Sequence, residues 1–371
     1  MSYESGKLGV AEGIALVFIL TISRIFLSTP VAILDDAAGL AWLETFLHGV
    51  SAFILFWALL TVFQRFPGDL FSVSQILVGS FGAWLISLYY MAIFFINYIM
   101  ILRQFAENTL ITALPLTEFN VVIAAYAGVA AIVVYAGVEA MTRATSILLP
   151  FGIFLLLLVM ALLIPFYNVY NLAPWQGTGL GPVLWGSTAK AGVDFGIFVF
   201  VILAPAFHSL KTIRTASLWG MGLSLLLRSL SMLVYTLIFG VDVGREKVLP
   251  FFEMARLVYL NRYVQRIEAL FIVLWVLTGT LNLAASLYVG LYILTRLFKL
   301  PSMRPLIFIV TIILAELAML PTDVITVIEW DGKALLFFDI GIYVIPVILL
   351  VAATIKLRRK EGGGWDFDSP Q

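Results

Sequence analysis

A carboxylate between two glycines lies in an apolar stretch of the chain, KAGVDFGIFVFVILAP at residues 190–205. An ionised carboxylate costs about 2.5–3.5 kcal/mol at membrane depth, so Asp194 should face a partner or a cavity. Gly192 and Gly196 weaken the helix around it. The pattern therefore predicts a helix broken inside the bilayer, with polar backbone groups turned to a ligand or an ion. The alternative is that the span starts at Phe195, with Asp194 among the lipid headgroups.

A cation occupies the middle of another apolar segment, ALVFILTISRIFLSTP at residues 15–30, where Ser23 precedes Arg24. A buried arginine must find an anion or several carbonyl oxygens. Arg24 could receive the carboxylate of a small ligand, or it could pair with Asp194 across a cavity. The alternative is a structural ion pair or a water-filled vestibule. Arg228 is a second deep cation, for which we predict a structural role.

Amide side chains interrupt two further apolar segments. Asn97 lies in one, and Asn282 lies in the other, with Ser286 four residues later on the same helix face. Such groups either join helices by hydrogen bonds worth about 0.6–2 kcal/mol each or line a ligand site. Both interpretations stay open from the sequence.

Nothing in the sequence indicates an enzyme, a metal or a cofactor. The chain has no cysteine, and neither His48 nor His208 has a partner at metal-binding spacing. No paired acids or Ser/His/Asp arrangement stands out. The formal net charge is zero, so no nucleic-acid partner is expected.

The composition predicts an all-α membrane protein. Of the 371 residues 62% are hydrophobic and 12% are charged, whereas a soluble domain has about 25% charged residues. A span needs about 20 apolar residues, which predicts ten spans in one transmembrane domain at residues 11–360. The predicted spans cover residues 11–34, 41–64, 82–103, 119–140, 144–165, 188–208, 215–240, 268–297, 304–320 and 335–356.

The loops predict the orientation. With the N-terminus inside, most lysines and arginines of the short loops lie inside, as the positive-inside rule requires. Residues 1–10 and a disordered tail at 361–371 are then both cytoplasmic, and the lipid bilayer surrounds the rest. Segment 249–263 is too polar to span, and its pattern favours an amphipathic helix in the outer interface. Ten spans could form a five-plus-five inverted repeat in which spans 1 and 6 are the broken helices.

Six segments in order resemble a known family. They are RFPG at 65–68, LRQFAE at 102–107, GVEAMTR at 137–143, GTGLGPVLWGS at 177–187, LPFFEMARL at 249–257 and QRIEALFIVLW at 265–275. Their series is similar to the membrane-permease (B) subunit of nutrient germinant receptors of endospore-forming bacteria, spore germination permeases related to the amino-acid/polyamine/organocation transporter superfamily. The resemblance implies the five-plus-five fold with broken helices 1 and 6. It also implies the inner membrane of the spore, a larger membrane A subunit and a lipoprotein C subunit.

The resemblance also implies a nutrient site between spans 1, 3, 6 and 8. Carried onto this sequence, its lining is Ser23, Asn97, Phe195, Gly196, Asn282 and Ser286. The family's Gly-x-Glu in span 6 is matched only by Gly196, and its glycine in span 1 is replaced by Ser23. The missing acid and the added Arg24 favour a more anionic ligand, or one whose amine meets Asp194. The predicted ligand-binding residues are therefore Ser23, Arg24, Asn97, Asp194, Phe195, Gly196, Asn282 and Ser286.

We therefore expect a membrane subunit of a nutrient germinant receptor, which binds an amino acid or similar nutrient and triggers spore germination. The alternative is a secondary active amino-acid transporter, an ion-coupled permease with the same fold.

Overall fold

A computed structural model describes residues 8–27, 29–258 and 268–362, and the described residues form helices without a named strand. The helices are α1 (Val10–Ile22), α2 (Thr29–Ala37), α3 (Ala41–Arg65), α4 (Leu70–Thr112), α5 (Phe119–Ala136), α6 (Val138–Leu162), α7 (Leu180–Ala189), α8 (Val199–Ile202), α9 (Leu210–Arg245), α10 (Pro250–Arg256), α11 (Glu268–Leu297), α12 (Arg304–Ala318), α13 (Val324–Asp339) and α14 (Ile345–Gly362). The predicted all-α class is confirmed.

Within the described residues, eight helical stretches are long and apolar enough to cross a membrane. They are Thr29–Arg65, Leu70–Thr112, Phe119–Ala136, Val138–Leu162, Leu180–Ile202, Leu210–Arg245, Glu268–Leu297 and Val324–Arg358. The chain is therefore a multi-pass integral membrane protein. The predicted spans 11–34 and 304–320 coincide with shorter helices, since α1 has 13 residues and α12 has 15. The count of ten spans stays a prediction.

Two buried departures from α-helical geometry lie in the segments that contain Arg24 and Asp194. After α1, a 3-10 turn covers Ser23–Phe26, and α2 begins at Thr29. Between α7 and α8, a 3-10 segment covers Ala191–Phe198. These are the two regions where broken helices were predicted. The relation between them as halves of an inverted repeat stays a prediction.

The glycines of the second 3-10 segment permit close approach to neighbouring helices. A Cβ atom on Gly196 would lie 2.6 Å from the Leu20 Cβ of α1. A Cβ atom on Gly192 would lie 2.3 Å from the Leu335 carbonyl oxygen of α13. A side chain at either position would therefore force the segment away from its neighbours. From the sequence, these glycines were expected to open the helix. In the structure they also allow the 3-10 segment to pack directly against α1 and α13.

The buried centre of the molecule lies where α1, α4, α11 and the 3-10 segment meet. α4 packs along α11, and α1 packs against α6, α9 and α11. The second 3-10 segment contacts α1, α3 and α13. Helix α13 continues into α14 through a π-helical turn, Ile340–Val344. Helices from both ends of the sequence thus surround the break after α1.

The predicted amphipathic helix at 249–263 is partly seen as α10. Its Phe251 is 3% exposed and packs against the rings of Phe26 and Tyr235, so its apolar face covers protein. The expectation that this helix lies at the outer membrane interface stays a prediction. Residues 259–263 of that segment lie outside the described residues, as do residues 1–7 of the predicted N-terminal segment and residues 363–371 of the predicted tail. α14 extends to Gly362, inside the segment predicted as tail.

Candidate ligand-binding site

Arg24 is placed by the 3-10 turn that follows α1, and its side chain is 1% exposed. Its Nη1 donates to both carboxylate oxygens of Asp331, at 2.9 Å each. Its Nη2 donates to the Asn97 Oδ1 at 2.9 Å, and its guanidinium lies 5.8 Å from the centre of the Phe338 ring. The buried cation is thus neutralised by one buried carboxylate and held by one amide.

Asp331 was not among the predicted site residues. Its predicted place was the loop between the spans 304–320 and 335–356, whereas the residue lies inside α13 and is 3% exposed. The stretch VITVIEWDGKALLFF, residues 324–338, carries three charged residues and so lacks the composition of a span. A helical projection would have put Asp331 on the face of Val327, Ala334 and Leu335, which are also buried.

Asn97 of α4 connects Arg24 to α11. Its Nδ2 donates to the Asn282 Oδ1 at 3.1 Å and to the Ser286 Oγ at 2.9 Å. The Ser286 hydroxyl also donates to the Asn282 Oδ1 at 3.3 Å. The predicted face of α11 therefore meets α4, and each of these three residues is fully buried.

Asn282 satisfies backbone groups that the break after α1 releases. Its Nδ2 donates to the Ile19 carbonyl at 3.0 Å and lies 3.2 Å from the Ser23 Oγ. The Ser23 hydroxyl donates to the same Ile19 carbonyl at 2.7 Å. The last carbonyls of a helix lack intrahelical partners, so this amide and this hydroxyl stabilise the end of α1.

These residues form one hydrogen-bonded unit, which we call the central cluster. It consists of Ser23, Arg24, Asn97, Asn282, Ser286 and Asp331. The unit joins the break after α1 to α4, α11 and α13. One arginine and one aspartate give it no net charge, so the unit can remain buried without an additional ion.

Asp194 does not join the central cluster. Its Oδ1 accepts from the Arg228 Nη2 of α9 at 2.5 Å, so the interpretation that it pairs with Arg24 is wrong. Asp194 is also fully buried within the protein, which contradicts its placement among lipid headgroups. Arg228 has the ion-pair partner that its predicted structural role requires.

Phe195 and Gly196 flank the central cluster without bonding to it. The Phe195 ring lies 5.1 Å from the ring centres of both Phe94 and Phe338, and Phe338 is the ring next to Arg24. Gly196 packs on Leu20, one turn before the break. These two residues therefore form an apolar wall beside the polar unit.

An apolar cleft of about 560 Å³, which includes space open to the surface, lies between α1, α6 and α11. Ile19 and Ile22 of α1 line it, together with Thr278 and Leu281 of α11. The Ile19 carbonyl accepts a hydrogen bond from the central cluster, so the cleft adjoins that cluster. An apolar cleft that adjoins a polar cluster has the general character of a small-molecule site.

The described residues contain no group of three or more His, Asp or Glu side chains placed to hold a metal ion. The polar atoms of the central cluster are side-chain amides, hydroxyls and one ion pair. Their arrangement is suited to binding by hydrogen bonds and charge.

The fold matches that of a solved structure. The structure of MhsT in complex with L-phenylalanine superposes with a TM-score of 0.61 and 13% sequence identity, and the match covers 92% of this chain and 97% of that chain. At that identity the match establishes the fold alone.

Two curated relatives come from Bacillus subtilis (strain 168). Spore germination protein KB is 24% identical over 306 residues, which are 80% of each chain. Spore germination protein A2 is 23% identical over 361 residues, which are 95% of this chain and 97% of that one. The model of the family described as "Spore germination protein" matches residues 7–326. This match extends over most of the chain and confirms the resemblance inferred from its six segments: the chain belongs to the spore germination protein family.

Proposed function

We propose that this chain is the membrane subunit of a nutrient germinant receptor, and that it binds a small nutrient with a carboxylate, such as an amino acid, at the central cluster. The family supports a role in germination. The observation that supports the site is the convergence of Arg24, Asn97 and Asn282 on the break after α1. The ligand-binding role of the predicted residues rests on that convergence.

Exchange of carboxylates at Arg24 would give the ligand its effect. In the structure, both oxygens of Asp331 accept from the Arg24 Nη1. A nutrient carboxylate presents the same two oxygens to a guanidinium, so it would compete with Asp331 and release α13 from the break. A ligand changes a conformational equilibrium only through different affinities for the two states. A coupling of about 1–3 kcal/mol, or a factor of about 5–150, is typical.

The apolar cleft would receive the rest of the nutrient. Ile22, Phe26 and Leu281 line it beside the cluster, so a nutrient with an apolar side chain would bury that side chain there. An amine on the nutrient would meet the carbonyl oxygens at the end of α1, or the carboxylate that it displaces.

The proposed setting is the inner membrane of the spore. The partners are the larger membrane A subunit and the lipoprotein C subunit of the receptor, and both termini are cytoplasmic. In this proposal the chain is a sensor without catalysis. A conformational change at α13 would pass to a partner subunit through the apolar surface of α13 and α14, where Ile325, Leu336 and Val347 are exposed.

The substitution Asn282→Leu tests the site. It removes the amide that joins Asn97 to the end of α1, so we expect a weaker germination response, by about 5–150-fold in nutrient concentration, with normal protein levels in the membrane. Thr280→Val is a matched control on the same helix, because the Thr280 hydroxyl bonds only to the Val276 carbonyl of its own helix. Dose–response curves of spores with each variant measure the effect. An unchanged curve for Asn282→Leu contradicts the site.

The alternative function is a secondary active amino-acid transporter. The fold match to MhsT, whose structure contains L-phenylalanine, favours it. Uptake of labelled amino acid by proteoliposomes that contain the purified chain separates the two functions. Net flux supports transport, whereas binding that stabilises the protein against heat without flux supports a sensor.

A further inference from the structure

Four ionisable side chains form a second cluster. They are Glu44 and His48 of α3, Asp194 of the Ala191–Phe198 segment and Arg228 of α9, and none is more than 2% exposed. The Asp194–Arg228 ion pair holds one side of this second cluster. On the other side, the His48 Nε2 lies 3.4 Å from the Glu44 Oε1.

Several polar atoms of the second cluster have no hydrogen-bond partner. They are both carboxyl oxygens of Glu44, the Asp194 Oδ2, the His48 Nε2 and the Arg228 Nε. A buried polar group without a partner costs about 1–3 kcal/mol, and more if it is charged. The three carboxyl oxygens outnumber the two nitrogens, so acceptors remain in excess even if both nitrogens carry hydrogens. This excess indicates a missing positive charge.

The nearby cations are already paired. Arg228 bonds to Asp194, and Lys190 forms an ion pair with Asp36. Glu44 interacts electrostatically with both Asp36 and Lys190, and these two charges offset each other. An ionised Glu44 would therefore be a buried carboxylate without its own counter-ion, which is strongly unfavourable.

The space around Glu44 admits little more than a proton. A Cβ atom on Gly186 of α7 would lie 2.9 Å from the Glu44 Oε1, so the α7 backbone closes over the carboxyl group. A metal ion would also need several more oxygen ligands, and the described residues offer no such group. The smallest cation, a proton, fits the geometry and removes the uncompensated charge.

We propose that Glu44 is a proton-binding site, which holds an exchangeable proton at neutral pH beside His48 and releases it when the pH rises. This inference does not depend on the proposed function. Loss of the proton adds an uncompensated negative charge to a cluster that already contains Asp194. Protonation of Glu44 therefore stabilises the packing of α3 against the Ala191–Phe198 segment.

Each element packed against α3 near Glu44 contributes a titratable or charged group. These are Asp36 from α2, Lys190 at the end of α7, Asp194 from the 3-10 segment, Arg228 from α9 and Tyr343 from the π-helical turn, which bonds to Ser51. Farther along α3, Arg214 of α9 lies over the Trp57 ring. Lys356 of α14 bonds to the Ile76 carbonyl. Asp36 and Lys190 are partly exposed, and we assign the route of the proton to them.

The thermal unfolding of the purified full-length protein in lipid nanodiscs tests the site, with protons as the probe. The unfolding equilibrium constant changes about tenfold per pH unit for each proton that only the folded state holds. The wild-type midpoint should therefore fall between about pH 7 and about pH 9. Glu44→Gln is neutral throughout, so its midpoint should stay level over that range. Glu139→Gln, at a half-exposed acid paired with Arg143, should keep the wild-type fall.

The proposal is overturned if the wild-type thermal midpoint does not change with pH over this range. It is also overturned if the midpoint of Glu44→Gln falls as the wild-type midpoint does. If Glu44→Gln does not fold, nuclear magnetic resonance of histidine-labelled wild-type protein decides, because the chain has two histidines. The His48 ring signals should shift as the neighbouring acid ionises above neutral pH. The ring signals of the exposed His208 are the internal control. His48 signals that stay constant above neutral pH overturn the proposal equally.

Discussion

The two buried polar clusters differ in how completely their atoms are hydrogen-bonded. In the central cluster, both carboxylate oxygens of Asp331 and the amide of Asn97 have partners, and the Arg24 Nε is the atom without one. In the second cluster, both carboxyl oxygens of Glu44 and one of Asp194 lack a hydrogen-bond partner, as do the His48 Nε2 and the Arg228 Nε. Both clusters contain one arginine–aspartate pair. They differ because the central cluster adds amides and hydroxyls that complete its hydrogen bonds, whereas the second cluster adds the acid Glu44, whose oxygens have no partner.

This difference separates two uses of buried polarity. A satisfied network fixes one geometry and is costly to disturb, which suits a site that a ligand must actively open. A cluster with unpaired acceptors can gain a small cation without moving a helix. The central cluster is therefore the more sensitive to substitution, and the second cluster is the more sensitive to pH.

The largest expected effect is that of Asp331→Leu. It leaves the buried Arg24 without its counter-ion, and breaking a buried pair costs about 3–5 kcal/mol. We expect a strong loss of folded protein from the membrane and a lower thermal midpoint. Adding Arg24→Met should restore much of the stability, because the double variant buries no lone charge. If Asp331→Leu alone were as stable as the variant that also carries Arg24→Met, the ion pair would not stabilise the backbone break after α1.

Asp194→Asn should cost less than Asp331→Asn, although each removes the charge of a buried aspartate that is paired with an arginine. In the second cluster, Glu44 can release its proton and supply the lost negative charge, whereas the central cluster has no spare acid. We expect about 1–3 kcal/mol for Asp194→Asn, together with the loss of the alkaline fall in stability. Chemical unfolding of both variants at several pH values measures the difference. Equal costs for the two variants would contradict it.

The sequence predicted the class of the fold and most members of the central cluster, because polar side chains are conspicuous in apolar helices. Ser23, Arg24, Asn97, Asn282 and Ser286 were all identified by that criterion. Their ligand-binding role stays a prediction.

The pairing of charges could not be predicted. Arg24 and Asp331 are 307 positions apart, so their contact depends on how α13 packs against the break. Asp194 precedes Phe195, but these neighbours face different clusters because a 3-10 segment turns them apart. Glu44 and His48 are four residues apart on α3, and the helical period could have suggested their pairing.

Ser286→Ala should have a smaller effect than either aspartate substitution. It removes a neutral acceptor of Asn97, whose Nδ2 keeps its bond to the Asn282 Oδ1. The net contribution of one such bond is about 1 kcal/mol. We therefore expect a slightly lower thermal midpoint and no change in its pH dependence. Ser231→Ala is a control, because the buried Ser231 hydroxyl has no partner. Equal losses in the two variants would remove Ser286 from the network.

The smallest expected effect is at an exposed carboxylate on the helix that carries Asp331. Asp323 caps α13, and its Oδ1 accepts from the Thr326 backbone N–H at 2.9 Å. That bond, together with the Thr322 hydroxyl, lowers the pKa of Asp323 below its ordinary value of 3.8. A lowered pKa stabilises the fold at pH values above the ordinary one, and the stabilisation is lost as the pH falls through the folded value.

Asp323→Ala should therefore lower the thermal midpoint slightly at neutral pH, and the difference from wild type should shrink in acid. Asp323→Asn keeps an acceptor for the Thr326 N–H without a charge, so its own cap should not change with pH. Melting curves from neutral pH down to about pH 3 make the comparison, since that range includes the ordinary aspartate value. The two clusters are buried whereas this cap is in water, so solvent screening should keep its effect below theirs. If a substitution at Asp323 lowered the stability as much as one at Asp331, burial would not explain the ranking of these effects.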